Sequence, residues 1–526
     1  MAAALAAPVL VVLSSLLSPR IDIWRHLWGT QLVELVVNTL ALLAGVAGGT
    51  LVVGTGLAWL VVHHRFPGRD VFEWALLLPL AMPAYVIGFA FLGLFEFSGP
   101  VQTALRHAFG PGARLPELRS WGGVVLMMTL VFYPYVYLLA RAAFREQGSA
   151  TVETARSLGR SRARAFLEVT LPLARPSLAA GVALAMMEAL ADFGTVATFG
   201  YRTLTEGVYR VWYGMFDRVA ASQLAAVLLL FSAALLRMER ASRGRRRFVQ
   251  RPRHGPEAAP VALRGVRALG ALAACGGVLG LAFVLPVGQL TVWAVQALRA
   301  GRVTPAFPAL LANTLALAAA AALAACAVAV TLAYAVRLHP ARATRAASRL
   351  ASLGYALPGA VIAVGVLIPL AALDRSLVPP LERVLGRPLG LLFTGSAIGL
   401  VYAYVVRFLA VSLQTVEASL TRIPPSLDDA ARALGVGARG ALRRVHLPLL
   451  RGGLATALVL VFVETMKELP ATLLLRPFGR NTLAIEVWAR TSEAMWQEAA
   501  VPALAIVLAG LAPVLLVIRW SHRGGS

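Results

Sequence analysis

The sequence predicts an all-α polytopic membrane protein with about twelve transmembrane helices, built as two parallel six-helix repeats. Two observations lead to this fold class. Only 14% of the 526 residues are charged and the mean hydropathy is +0.74, whereas a soluble protein needs roughly 25% charged residues to cover its surface. The apolar residues also form long uncharged runs, at 38–62, 74–95, 120–140 and 303–336. Each run can cross the hydrocarbon core, which takes about 20 residues.

Because a backbone in lipid must satisfy its own hydrogen bonds, these runs are predicted to be helices rather than loops. A hydropathy window of about 19 residues places the individual spans. In the first half they fall near residues 3–18, 38–62, 74–96, 120–142, 174–196 and 221–237, and in the second half near 268–296, 308–336, 350–373, 389–412, 452–475 and 499–519.

The two halves are copies of one unit. The run Asn38-Thr39-Leu40-Ala41-Leu42 recurs as Asn313-Thr314-Leu315-Ala316-Leu317, at a numbering offset of 313 − 38 = 275. Repeats of this size indicate a duplicated domain, and an even number of spans per copy gives both copies the same orientation. We therefore divide the chain into a first repeat at 1–237, an arginine-rich linker at 238–264 and a second repeat at 265–526.

The charged residues predict the orientation of the chain. The net charge is +24, and arginines cluster in the linker and between the fourth and fifth spans. In a membrane protein such clusters mark cytoplasmic segments, so both termini are expected in the cytoplasm and no nucleic-acid partner is expected. Arg20 and Arg25 act against this orientation, because they follow the first span on its predicted outer side. No basic residues precede the first apolar stretch, which favours a retained helix over a signal peptide.

Two matching loops, at 149–172 and 423–448, precede the fifth span of each repeat. Each contains an acid-led triplet, a glycine four residues after the triplet, and a leucine-proline pair before the next span. This pattern predicts a short helix with an acid near its positive end, a glycine turn, and a second amphipathic stretch. Ser426 and Asp429 also fit a capping box. The triplets are Glu153-Thr154-Ala155 and Asp429-Ala430-Ala431.

These loops resemble the EAA loop of the permease subunits of binding-protein-dependent ABC importers, which docks into a groove of the ATPase subunit. The resemblance implies the MetI-like permease fold in the bacterial cytoplasmic (inner) membrane. The chain departs from the family pattern at Thr154 and Asp429 but keeps the acid and the glycine. By position, the ATPase-coupling residues are Glu153, Ala155, Gly159 and Pro172 in the first repeat, and Asp429, Ala431, Gly435 and Pro448 in the second.

The sequence contains no phosphate-binding loop of the form G-x-x-x-x-G-K-[ST]. Nucleotide is therefore expected on partner chains, which would be two copies of an ABC ATPase subunit, and a substrate-binding protein is expected on the outer face. The chain itself is expected to bind no cofactor, to have no catalytic residues and to be no enzyme. The rival interpretation is a secondary transporter with two six-helix halves, which would not need the two long loops.

Beyond the loops, the chain resembles the ferric-iron importer permeases, which are fused double permeases of about this length. Thiamine importer permeases share the fused architecture and much of this pattern, so thiamine or another small solute stays open as the cargo. The stretches that carry the resemblance are 78–86, 97–102, 133–141, 191–195 and 463–472.

Four acids within predicted spans are candidates for the translocation path. Glu188 and Asp192 lie four residues apart, hence on one helical face, and Glu464 and Glu468 repeat the arrangement. Ionisable residues inside a membrane are costly and either face a pathway or pair with one another. Carboxylate oxygens are hard ligands that suit Fe(III).

Tyrosines could add phenol oxygens to the same path, from Tyr133 and Tyr135 in one half and Tyr402 and Tyr404 in the other. The alternative interpretation is structural: the acids pair with Lys467 and nearby arginines and hold the helix ends. The sequence does not decide between these two interpretations. It also does not identify the metal that the chain would contact.

Overall fold

The computed structural model describes residues 1–17, 21–147, 157, 159–242 and 260–523. Within these residues, eleven helical stretches are long and apolar enough to cross a membrane, five before the linker and six after it. The predicted first span coincides with a shorter apolar helix, Ala2–Leu17. The eleven are Leu32–His63, Ala84–Phe109, Trp121–Glu146, Phe166–Ala191, Arg218–Met238, Val266–Arg299, Phe307–Leu338, Gly359–Leu385, Ala397–Leu420, Ala438–Lys467 and Trp496–Leu515.

The two halves follow the same order of elements. The first contains the helices Ala2–Ser14, Ile21–Thr30, Leu32–His63, Arg69–Ala75, Ala84–Phe95, Pro100–Phe109, Trp121–Glu146, Arg162–Ala165, Leu171–Ala191, Gly194–Thr198, Leu204–Gly214 and Arg218–Ser242, with short 3-10 or π segments at Ser15–Leu17, Leu78–Ala81 and Phe166–Thr170.

The second half contains the helices Val266–Leu279, Leu285–Arg299, Phe307–Leu338, Arg342–Ala351, Gly359–Leu385, Ala397–Leu420, Ser426–Ala433, Ala438–Ala441, Leu447–Lys467, Pro470–Leu475, Leu483–Ser492 and Trp496–Arg523. Its 3-10 or π segments are Gly280–Val284, Ser352–Ala356 and Leu442–His446.

The duplication is visible in the hydrogen bonds that begin corresponding helices. Ser120 Oγ accepts a bond from the Gly123 amide at 3.3 Å, and its counterpart Ser396 Oγ accepts one from Gly399 at 3.2 Å. The two serines are related by a numbering offset of 396 − 120 = 276. Such caps satisfy amides that have no partner inside the helix. The same side chains therefore start the same span in both repeats.

Prolines shorten two predicted spans at corresponding places. The stretch predicted as a span at 74–96 is continuous helix only from Ala84, directly after Pro83. The stretch at 350–373 is likewise continuous only from Gly359, directly after Pro358. A proline cannot donate a backbone hydrogen bond and disfavours helix at the residue before it, so each segment enters the membrane as a broken helix.

The halves interlock through their end helices. The first helix, Ala2–Ser14, packs on Gly359–Leu385 of the second repeat, so closely that a Cβ on Gly365 would lie 2.3 Å from the Pro8 carbonyl oxygen. In return the last helix reaches the first repeat, where a Cβ on Gly510 would lie 2.0 Å from the Ala81 oxygen. Glycine permits these backbone contacts because it has no side chain to exclude them.

The start of the second repeat is tied to the first by a small sheet. His64–Arg65, directly after the second predicted span, pairs in parallel with Val261–Ala262. The amide of Leu263 extends the pairing by donating to the Arg65 carbonyl at 2.8 Å.

Candidate translocation path and coupling loops

The four predicted acids come together in one cavity between the two repeats. Two helices at corresponding places, Leu171–Ala191 and Leu447–Lys467, bring them there. The cavity has a volume of about 110 Å³, and two basic side chains share it, so the carboxylates exceed the bases by two (4 − 2 = 2). We refer to it as the acid cavity; its charged lining is Glu188, Asp192, Glu464, Glu468, Arg407 and Lys467.

Two of the acids begin new helices. The sequence predicted Asp192 and Glu468 on the same helical face as the acids four residues earlier, but each lies just beyond its helix end in extended backbone. The Asp192 carboxylate accepts a hydrogen bond from the Thr195 amide at 2.7 Å. Glu468 accepts bonds from the amides of Ala471 at 2.8 Å and Thr472 at 2.9 Å. Both carboxylates thus satisfy amides at the start of the following short helix.

Basic side chains of the second repeat neutralise two of the acids. Arg407 Nη1 lies 3.3 Å from Glu468 Oε1, and this glutamate side chain is 1% exposed. Lys467 Nζ lies 2.7 Å from Glu464 Oε1 and also approaches the carbonyl oxygen of Leu80 in the first repeat at 3.4 Å. These contacts correspond to the structural alternative, in which the acids pair with bases and hold helix ends.

Glu188 differs from the other three acids. Its carboxylate lines the acid cavity and makes no hydrogen bond or ion pair within 4.0 Å to the described part of the chain. A charged group without a partner inside a membrane is costly and indicates contact with water or cargo. Glu188 is therefore the acid with a carboxylate available to a solute in the cavity.

The tyrosines lie mostly apart from the acid cavity. Tyr133 is fully buried and its hydroxyl donates to the Leu76 carbonyl at 2.9 Å. The hydroxyl of Tyr404 shares a hydrogen bond with Thr472 Oγ1 at 2.6 Å. Both phenol groups are thus occupied within their own repeats. Tyr135 is the tyrosine of the predicted set that lines the cavity in the described structure.

The acid cavity is not a preformed metal centre. In the described ranges, no group of three or more His, Cys, Asp and Glu side chains is close enough to hold a metal ion. The carboxylates of Asp192 and Glu468 accept hydrogen bonds from backbone amides, and that of Glu464 pairs with Lys467. The carboxylate of Glu188 faces the cavity. The arrangement suits transient contact with a passing cargo better than tight coordination.

A larger cavity of about 1170 Å³ lies between the same two repeats. Met187 and Leu460, which precede Glu188 and Glu464 along their helices, are part of its wall, and so is Gln414. Both helices start at the two loops at 149–172 and 423–448 that the resemblance predicts to be coupling loops, and that we call the coupling loops for short. The chamber therefore lies between the acid cavity and the coupling-loop end of the bundle. Its lining is mostly apolar, with Arg349 and Ser352 among its polar residues.

The second coupling loop forms the predicted helix and glycine turn. The helix is Ser426–Ala433, and Gly435 follows it with φ of +71°, a backbone conformation that favours glycine. The amide of Val436 closes the turn by donating to the Ala431 carbonyl at 2.9 Å. Pro448 then stands in the first turn of the next helix, where a proline costs no hydrogen bond.

The predicted capping box is wrong. Ser426 is the first helical residue and not the cap, and the residue in the cap position is Pro425, which has no side-chain bond to offer. The Asp429 side chain is 71% exposed and its carboxylate lies 2.7 Å from Arg432 Nη2 on the same helix. The acid of the second triplet therefore faces outward.

The acid that holds this loop in place is Asp428, next to Asp429, and the sequence motif does not include it. Asp428 Oδ2 lies 2.6 Å from Arg337 Nη2 and Oδ1 lies 2.7 Å from Nε2 of the fully buried His446. Arg337 also donates to the Leu420 and Ile423 carbonyls at 2.8 and 3.0 Å. We call Asp428, Arg337 and His446 the loop anchor.

The loop anchor sets the ionisation of its acid. Burial by itself would raise the pKa of Asp428, but the hydrogen bonds from Arg337 and His446 outweigh it and hold the pKa below its ordinary value of 3.8. At the corresponding positions the first repeat has Val152, Val62 and Thr170. An anchor of these residue types is thus specific to the second repeat.

The first coupling loop lies partly outside the described residues, including Glu153 and Ala155. Its predicted glycine, Gly159, is described and has φ of +82°. The backbone there is left-handed, like that of Gly435 in the second loop. Pro172 stands in the first turn of the next helix, which follows a π segment at Phe166–Thr170. Leu442–His446 is the corresponding π segment of the second repeat.

Interlocked helical repeats, a charged cavity at their junction and a surface loop helix define a polytopic membrane permease. The chain belongs to the family described as the binding-protein-dependent transport system inner membrane component, which it matches twice, at residues 50–247 and 325–523. The starts of the two matches differ by 325 − 50 = 275 in the numbering, the same offset that relates the repeated sequence runs. This confirms the fused double permease and its two-repeat fold.

The names of similar proteins refer to different transported substrates. The chain is 27% identical to the Fe(3+)-transport system permease protein FbpB 2 of Haemophilus influenzae over 94% of this chain and 92% of that protein. It is 30% identical to the molybdenum transport system permease protein ModB of Escherichia coli, over 41% of this chain and 97% of that protein. The sulfate transport system permease protein CysT of the same organism is 31% identical over 40% of this chain and 77% of that protein.

Proposed function

We propose that this chain is the translocating subunit of an ATP-driven importer for ferric iron, delivered by a binding protein on the outer face. Two copies of a separate ATPase subunit bind the two coupling loops and supply the energy. The observation that carries the proposal is the junction of the repeats, where Glu188 presents an unpaired carboxylate to a cavity with two excess acids in the described structure.

The coupling loops support the partner assignment. In the second loop, Ala431 and Gly435 belong to a short helix and turn anchored to the ends of the neighbouring spans by Asp428. A force on this helix reaches the span that begins at Leu447 without passing through a long unstructured segment. Such a rigid connection is what a separate motor needs to move the membrane helices.

The charge of the path supports the choice of cargo. Carboxylates suit a hard trivalent cation, whereas an oxyanion such as molybdate or sulfate would meet the unpaired Glu188 as a like charge. The ferric transport relative spans nearly the whole chain, while the molybdenum and sulfate relatives align with less than half of it. Ferric iron is therefore favoured over the oxyanions.

The proposed cycle uses the two cavities in turn. In the described state the chamber of about 1170 Å³ lies on the coupling-loop side of the acid cavity, as expected for an inward-facing permease with both termini in the cytoplasm. ATP binding would draw the coupling loops together and open the junction outward. The binding protein would then release its cargo past Glu188, and hydrolysis would restore the inward-facing state.

The test is reconstitution of the chain in liposomes with a co-purified ATPase and binding protein. ATP hydrolysis and uptake are measured with Fe(III), molybdate, sulfate or thiamine as the offered cargo. The proposal predicts stimulation by Fe(III) and uptake of iron. Stimulation by an oxyanion or thiamine instead would reject ferric iron, and gradient-driven uptake by the chain without any ATPase would reject the importer class.

A further inference from the structure

A basic groove opens at the coupling-loop end of the second repeat. It has a volume of about 520 Å³ and lies between the short helix Arg342–Ala351 and the ends of Phe307–Leu338 and Ala397–Leu420. We call it the Arg349 groove. Its polar lining is Arg337, Arg345, Ser348, Arg349, Ser352, Gln414, Glu417 and Thr421.

Two arginines in the groove have no carboxylate partner in the described structure. Arg349 makes no side-chain hydrogen bond or ion pair there, and Arg345 donates to the Pro340 carbonyl oxygen at 2.6 Å. Arg337 is already neutralised by Asp428 at 2.6 Å. Glu417, on the opposite wall, forms no ion pair within 4.0 Å in the same described ranges. The groove therefore holds unneutralised positive charge on one wall.

The first repeat fills the corresponding space with its own side chains. There the short helix Arg69–Ala75 carries the acid, Glu73, and Arg145 Nη2 on the helix Trp121–Glu146 lies 2.6 Å from the Glu73 carboxylate. Tyr137 donates to the Glu73 carbonyl at 2.8 Å, and Arg141 stacks on the Trp74 ring at 4.1 Å.

At the corresponding positions the second repeat replaces these large side chains. Arg349 stands in place of Trp74, Leu413 in place of Tyr137 and Glu417 in place of Arg141. The internal ion pair is lost and the groove is left in its place. The first repeat thus satisfies its arginines internally, whereas Arg345 and Arg349, at other positions of the repeat, have no carboxylate partner in the described structure, which indicates an external anionic ligand.

We propose that the Arg349 groove binds a phosphate group, bonded by Arg345 and Arg349 and by hydroxyls such as that of Ser348. Guanidinium groups form paired charge-assisted hydrogen bonds with phosphate oxygens. The favoured source is a phospholipid headgroup, because the groove opens between the ends of two membrane-spanning helices beneath an arginine-bearing surface helix. Basic pockets of this kind hold lipid headgroups. Inorganic phosphate shares the chemistry and is the other source.

The experiment titrates the purified full-length chain, in zwitterionic detergent, with short-chain phosphatidylglycerol, short-chain phosphatidylcholine or inorganic phosphate. Binding is followed by native mass spectrometry and by the thermal midpoint, Tm. The test variant is Arg349→Gln, and the matched control is Arg342→Gln on the same helix, which is exposed and does not line the groove. Because the Arg349 side chain makes no hydrogen bond or ion pair with the described residues, the ligand-free Tm of the variant should stay close to that of the wild type.

Loss of one charge-assisted bond should weaken binding about tenfold in Arg349→Gln and leave Arg342→Gln unchanged. Saturable binding of phosphatidylglycerol with this pattern supports a headgroup site, and the same pattern with inorganic phosphate alone supports a phosphate site supplied from solution. Equal weakening in both variants, no weakening in Arg349→Gln, or no saturable binding of any ligand would overturn the proposal.

Discussion

At the scale of single residues, three of the four membrane acids have a partner in the described structure and one, Glu188, does not. Asp192 and Glu468 cap helices, and Glu464 pairs with Lys467 at 2.7 Å. Glu188 has no such partner in the described structure and faces the cavity. Equal positions in the two repeats thus have unequal roles, because the second repeat supplies bases that the first does not.

Replacing Glu188 with Gln should lower iron uptake about tenfold, a change of about 1.4 kcal/mol in the rate-limiting barrier. The reason is that the cavity loses the carboxylate that is unpaired in the described structure and can meet a cation. The measurement is ATP-driven uptake in liposomes. Asp22→Asn is the control, because that side chain is 99% exposed and outside the path. Unchanged uptake in Glu188→Gln would show that the acid does not contact cargo.

At the scale of elements, the second coupling loop depends on an acid that the motif does not include. Asp428 binds Arg337 and His446 across three separate elements, whereas the motif acid Asp429 is exposed. The anchor fixes the position of the loop helix against the spans, so loop and spans are expected to move together.

Replacing Asp428 with Asn should lower the Tm at neutral pH, because Arg337 would lose its carboxylate partner, a loss of roughly 3 kcal/mol. The pKa of Asp428 is held below its ordinary value of 3.8, so its stabilisation is complete above that value and is lost as the pH falls through the folded-state pKa. Melting curves of wild type and variant should therefore converge in acid.

The matched control for this variant is Asp429→Asn, one residue away and 71% exposed. Its Tm should stay close to that of the wild type at every pH, since exposed pairs contribute about 0–1 kcal/mol. If both variants melt alike, the anchor does not hold the loop.

Gly435→Asp should leave the protein in the membrane but abolish stimulated ATP hydrolysis. A Cβ at this position meets no atom of the described structure within 4 Å, so the fold survives. The left-handed backbone of the turn is strained by about 1 kcal/mol with a side chain, and the proposed docking surface gains a charge. Gly437→Ala is the control, because its φ of −67° accommodates any residue. Full coupled turnover in Gly435→Asp would contradict the docking role of the loop.

At the scale of the whole molecule, the repeats are held together by packing as well as by the chain. The first helix lies on the second repeat at Gly365 and the last helix lies on the first repeat at Gly510. Each half therefore completes the other, and the acid cavity exists only where the two meet.

A protease site inserted between residues 250 and 251 tests this interlocking. After cleavage the halves should still co-purify in mild detergent, because the crossed end helices remain in place. Cleaved protein with Gly365→Leu should separate, since the new side chain must displace the Pro8 backbone, 2.3 Å from its Cβ. Gly48→Leu, at a position with open space around the Cβ, should behave as the wild type. Separation of the halves by cleavage alone would contradict the interlocking.

The sequence by itself determined the membrane class, the two repeats and the place of the helix and glycine turn in the second predicted coupling loop. These depend on composition, on runs of about 20 apolar residues and on glycine and proline at fixed offsets, which act locally along the chain. The helix and turn at Ser426–Gly435 follow for the same reason: Gly435 adopts φ of +71° next to its own helix.

Only the tertiary structure decided which charged residues pair. Glu188 and Glu464 look equivalent in sequence, but Lys467 meets one and no base meets the other in the described structure. Asp428 gains its role from Arg337, 91 residues away. Charge pairing depends on distances between elements that are remote in the chain, and motif spacing carries no information about them.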